Sequence, residues 1–129
     1  MRIFFSDIAQ KFLKSLDAHS ESASQVFGSI EHNFIRVDSI VPFIMVAQSS
    51  DSCAISTPEH LNDRVIGILH THPQGSILPS DADTTVMKKL FPRRKATMFI
   101  TEKRGSSCII HPFLMLKNRK LTMLNSITV

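Results

Sequence analysis

Apolar and polar residues change their spacing several times along this chain, and each change marks an expected element. Ile8, Ala9, Phe12, Leu13 and Leu16 recur at helical intervals behind Ser6, whose hydroxyl suits an N-cap, so a first helix is expected that fades at His19-Ser20. Residues 25–31 and 34–41 read as extended runs joined near His32-Asn33, a hairpin, and residues 42–47 continue extended. The apolar, partly β-branched run from Arg64 to Leu69 reads as a buried strand that carries on into His70, Thr71 and His72. A second helix is expected from about Asp81 to Leu90, capped by Ser80. Residues 96–101, 108–116 and 120–127 supply later strands, with turns at Lys103-Arg104-Gly105 and Lys117-Asn118. No internal repeat interrupts the order. The pattern predicts an α/β (α+β) chain, residues 1–129 as a single domain, with a mixed β-sheet flanked by about two helices.

The first predicted helix and the last strands suggest no unusual chemistry; the join between the His strand and the second helix does. Side chains two apart on a strand share a face, so His70 and His72 project together at its end. Pro73 then stops the ladder, Gln74 and Gly75 read as a turn, and Ser80 opens the helix that holds Asp83 in its first turn. Such a join can bring His70, His72, Ser80 and Asp83 into one pocket. Ser80-x-x-Asp83 also reads as a capping box, in which the acid serves the helix start, and Asp81 reads as a first-turn carboxylate that suits the macrodipole. Imidazoles with one carboxylate suit Zn2+, and three protein ligands with an open position are the catalytic form of such a site. The same set fits a non-haem iron oxygenase. A cupin barrel also uses a His-x-His pair, but the regular succession of short strands it needs is missing.

His70-Thr71-His72, a seven-residue gap, then Ser80-x-x-Asp83 resembles the JAMM motif of the JAB1/MPN metalloprotease family, spacing included. The family's further glutamate lies upstream, seven positions before a glycine that ends a strand, and Glu21 stands seven before Gly28. Ser24 occupies a place where many members carry a second glycine, and Glu31 is the next candidate. The resemblance implies a single-domain MPN/JAB-like fold, with Zn2+ on His70, His72 and Asp83. It implies Glu21 as general base, and Ser80 as donor to the developing oxyanion. The implied reaction is cleavage of the isopeptide or peptide bond after the C-terminal Gly-Gly of ubiquitin or a ubiquitin-like protein. His-Glu-x-x-His, the other common zinc-protease signature, is absent. Many members carry a substantial helix before the His strand. Here only Thr57-Pro58-Glu59-His60-Leu61-Asn62 offers a capped start, enough for a turn or two. Alternatives stay open: the RadC family, which has a similar string but is longer, a non-catalytic MPN scaffold, or the iron oxygenase.

Composition narrows the rest. With 43% hydrophobic and 20% charged residues the chain is of globular type, and no stretch is apolar and long enough to span a membrane. Met1 to Phe5 runs straight into Ser6-Asp7, too short for a signal peptide, so a cytoplasmic location is expected. Cys53 and Cys108 lie far apart and read as free thiols. His60 reads as exposed and His111 as structural, since neither has a spaced partner. The formal charge of +4 comes partly from clusters at Lys88-Lys89, Arg93-Arg94-Lys95, Lys103-Arg104 and Lys117 with Arg119-Lys120. These read first as a solvated face; nucleic-acid binding is the lesser hypothesis. A homodimer is among the assemblies the resemblance allows.

Overall fold

The run that sequence marks as most apolar is buried along its whole length because it lies in the middle of the sheet. In the computed structural model, which describes residues 1–17, 19–48, 53–56, 60–72 and 76–129, this strand pairs antiparallel with one neighbour and parallel with the other. The elements in chain order are β1 (Arg2–Phe5), α1 (Asp7–Ser15), β2 (Ser22–Ile30), β3 (Phe34–Pro42), β4 (Ile44–Gln48), β5 (Cys53–Ser56), β6 (Val65–Thr71), α2 (Asp81–Leu90), β7 (Ala96–Arg104), β8 (Ser107–Met115), β9 (Leu121–Met123) and β10 (Ile127–Thr128). The large sheet runs β1-β3-β2-β6-β7-β8-β10, with β9 also on β8, and β4 and β5 form a separate two-stranded ribbon. Among the described residues the fold is α+β with two helices and one large mixed sheet.

Two apolar cores lie on opposite faces of this sheet. Helix α1 presses Ala9 and Leu13 onto Val26, Ile35, Leu69 and Phe99. Helix α2 closes the other face, where Met87 joins Ile68, Met98, Ile100 and Phe113. Leu69 thus points to one core, Ile68 to the other, and the alternation continues so that His70 emerges on the α2 side. Gly67 permits the tight pairing beneath: a Cβ there would meet the Thr97 carbonyl oxygen at 1.9 Å.

Several expectations shift at their edges. Strand β7 runs on to Arg104, so the turn falls at Gly105-Ser106, where Gly105 takes φ +62°. The expected strand over 120–127 divides into β9 and β10, because both pair with β8 across Pro112, which has no amide hydrogen; its carbonyl accepts from the Leu124 amide instead. Strand β1 and ribbon strand β5 carry too few residues for periodicity to reveal them. Strand β2 starts at Ser22, earlier than expected, and runs on to Ile30. Gly28 thus sits within it, at a register shift, and does not end the strand as the motif resemblance implies. Residues 60–62 are not helical, and Thr57, Pro58 and Glu59, like Pro73, Gln74 and Gly75, lie outside the described residues.

Candidate metal centre

Four side chains from three elements converge at one end of the central strands. His70 stands opposite Ala23 of β2, so the residue just before β2, Glu21, reaches the same corner. The Glu21 Oε2 atom lies 3.7 Å from His70 Nε2. Asp83, in the first turn of α2, addresses both rings, with Oδ1 3.6 Å from His70 Nε2 and Oδ2 3.4 Å from His72 Nε2. The two rings stand perpendicular, 4.6 Å between centroids. All four groups are largely withdrawn from solvent, with side-chain exposures between 8% for His72 and 16% for Glu21.

These separations are informative. Good N–H···O hydrogen bonds measure about 2.7–3.2 Å, and the three imidazole–carboxylate ion pairs given above are longer. Ligand atoms placed tetrahedrally about 2.1 Å from one ion stand about 3.4 Å apart, and each histidine Nε2 has an Asp83 oxygen near that separation, a different oxygen for each ring. The group whose single ligand atoms all lie within 4.8 Å of one another, and which could hold a metal ion, is Glu21, His70 and His72; the expected ligand Asp83 stands beside this group rather than in it.

The ring orientations are set from behind. A carbonyl can only accept, so the 3.1 Å contact between His72 Nδ1 and the Ser76 carbonyl places the proton on Nδ1 and leaves Nε2 with its lone pair inward. His70 makes a backbone hydrogen bond to Ser22. Beneath it, Ser22 Oγ donates to Thr71 Oγ1 at 3.1 Å, and Thr71 Oγ1 meets Thr101 Oγ1 at 3.2 Å, tying the ends of β2, β6 and β7 together. Sequence spacing carries no sign of this hydroxyl chain, because its members are remote until the strands pair.

Burial dominates the protonation of His70 and lowers its pKa from 6.5, against the opposing pull of Asp83. Burial also works against charge on His72. There the contact with Asp83, the Ser76 carbonyl and the charges of Asp83 and Glu21 prevail, and its pKa rises. For Asp83, burial favours the neutral acid, but His72, His70 and the Ser80 hydrogen bonds outweigh it, and the carboxyl titrates below 3.8.

Ser80 performs the cap that its position suggests. Its Oγ accepts from the Asp83 amide at 3.1 Å, and Asp83 Oδ2 accepts from the Ser80 amide at 2.8 Å, a complete capping box. Asp83 therefore has its orientation fixed by the helix start and turns the same carboxylate towards both histidines. The exposed Ser80 hydroxyl accepts through a lone pair, so its own proton can still be donated.

His111 is held differently. Its Nε2 donates to Glu102 Oε1 at 3.0 Å, and its Nδ1 meets Ser126 Oγ at 2.8 Å, so both ring nitrogens are used within the sheet. His60 is exposed. Some of the basic clusters also have structural work: Arg119 donates to the Phe91 and Lys88 carbonyls at the end of α2, Lys103 donates to the Lys14 carbonyl at the end of α1, and the Arg94 guanidinium lies over the Phe91 ring. Cys108 is buried and free, with its thiol pushed up by burial.

No protein-family model and no curated protein matches the chain. Among solved structures it is similar to protein DSY2949 from Desulfitobacterium hafniense, determined in solution, with a TM-score of 0.59 at 14% identity, over 97% of this chain and 90% of that one. At that identity the likeness concerns the fold alone. No helix among the described residues is long and apolar enough to cross a membrane.

Proposed function

We propose that this protein is a Zn2+-dependent hydrolase of the JAMM type, acting after the C-terminal Gly-Gly of a ubiquitin-like protein. The observation that carries the reading is the gathering of Glu21, His70 and His72, which offer one ligand atom each within 4.8 Å of one another, with an Asp83 oxygen 3.4–3.6 Å from each imidazole Nε2. The motif resemblance supplies the substrate class, and the α+β fold with two helices is compatible with an MPN/JAB-like domain.

His70, His72 and Asp83 would hold the ion, which when bound supplies Lewis acidity and lowers the pKa of a water towards about 7. Glu21, beside His70, would take the proton from the attacking water and return it to the departing amine. Ser80 would donate its hydroxyl proton in a hydrogen bond to the oxyanion that develops on the scissile carbonyl. The capping box keeps that serine and Asp83 in fixed relation while both serve the site.

Fusions of ubiquitin-like proteins through a Gly-Gly bond, incubated with and without chelator, test the reaction. Cleavage that a chelator abolishes and Zn2+ restores is the expected result; cleavage indifferent to chelator would overturn it. Glu21→Gln separates two roles for that residue, since Glu21 also stands in the group that could hold the ion. As general base its loss leaves stoichiometric zinc and removes hydrolysis; as a ligand its loss releases the metal. The first outcome is expected.

A further inference from the structure

A small cavity of about 90 Å³ opens beside His70 and Asp83, between α2 and the sheet. Apart from those two residues its lining is apolar: Ala23, Ile55, Ile68, Ala82, Val86 and Met98. Ala82 and Val86 stand one turn apart on α2, and the short side chains of Ala23 and Ala82 leave the gap unfilled. Ile68 and Met98 are register partners on β6 and β7, both buried, and form its floor. As the described residues line it, the cavity is a half-open apolar recess whose polar end is the candidate metal centre.

Size restricts its occupant. An apolar cavity of about 150 Å³ takes benzene, so this one takes about three or four carbons. Both glycines before the scissile bond lack side chains, so the occupant must come from the amine side. We propose that the recess receives the short aliphatic side chain of the residue that follows Gly-Gly in an ordinary peptide bond. On this basis the substrate is a precursor with a small aliphatic residue after its second glycine. The inference rests on the hydrolase reading above.

Two measurements test it. The zinc-loaded protein is titrated by calorimetry with straight-chain alkyl hydroxamates, whose head group binds metal and whose tail samples the recess. Affinity is expected to rise about fourfold per added methylene and to level off after about three or four carbons. Ala82→Leu, which fills the recess with a good helix former, should keep its zinc by elemental analysis and lose that dependence. A flat series in the unaltered, zinc-containing protein, or an unchanged series in Ala82→Leu, would overturn the recess while leaving the metal centre standing. A protein that takes up no zinc brings down the hydrolase reading and this inference with it. Gly-Gly-Leu fusions should also be cut at least about 10-fold faster than Gly-Gly-Asp fusions. Equal rates would refute the substrate class.

Discussion

Two histidine–carboxylate clusters occupy the same large sheet, and they are built to opposite ends. In the first, His111 bonds Glu102 at 3.0 Å and Ser126 at 2.8 Å, and both ring nitrogens are consumed. In the second, His70, His72, Asp83 and Glu21 are buried to a similar degree, yet their facing atoms stop at 3.4–3.7 Å. The first is one ring with a short hydrogen bond on each nitrogen, and the second gathers two rings and two carboxylates at longer separations. Burial of a histidine next to a carboxylate is therefore no sign of function by itself. What distinguishes the clusters is that the second brings three ligand-type groups within 4.8 Å of one another.

Exchange of single residues between these two behaviours gives the sharpest tests. His70→Ala or His72→Ala should reduce bound zinc from stoichiometric to near zero by elemental analysis, whereas His111→Ala should leave it unchanged; retained zinc in the first pair would erase the contrast. Ser80→Ala should lower kcat by up to about 10²–10³-fold with a smaller change in KM, and should cost about 0.5–2 kcal/mol of stability through the lost cap. Circular dichroism separates the two effects, and a loss of stability with normal kcat would reduce Ser80 to a cap alone. Glu102→Gln should destabilise the fold by about 1–3 kcal/mol in urea titration, because it disturbs a buried charged hydrogen bond, with zinc content unaltered.

Acidity acts on the metal centre in a defined direction. His72 has its pKa raised above 6.5, so a proton competes with the ion there from a higher pH than at an ordinary histidine. Zinc affinity should therefore already weaken as pH falls through and below that raised value, and an affinity flat from pH 8 to about 6 would contradict it. In the metal-free protein the same raised pKa contributes stability below 6.5 that is lost as pH rises through the folded value. Asp83 contributes above 3.8 and loses its contribution as pH falls through its lowered value. The smallest effect is expected for Arg119→Ala, which removes the donor to the Phe91 and Lys88 carbonyls and should cost about 0.3–1 kcal/mol.

Much of this protein is legible in the order of its residues. The period of two places His70 and His72 on one face of a buried strand, and Ser80-x-x-Asp83 announces a helix start, because both signals are local and repeat with the geometry of the element itself. Glu21 can be named only through the motif resemblance: nothing in Glu21-Ser22-Ala23 says that β2 will lie beside β6, opposite His70. The tertiary structure alone decided that the carboxylates stand at 3.4–3.7 Å from the rings, that Ser22, Thr71 and Thr101 link the strand ends, and that Ala23 and Ala82 leave a recess between helix and sheet. It also turned Lys103 and Arg119 from members of charge clusters into donors at helix ends. Periodicity reports which way a side chain faces, since that depends on its own backbone. What it meets there depends on pairing between segments far apart in the chain, which no local pattern encodes.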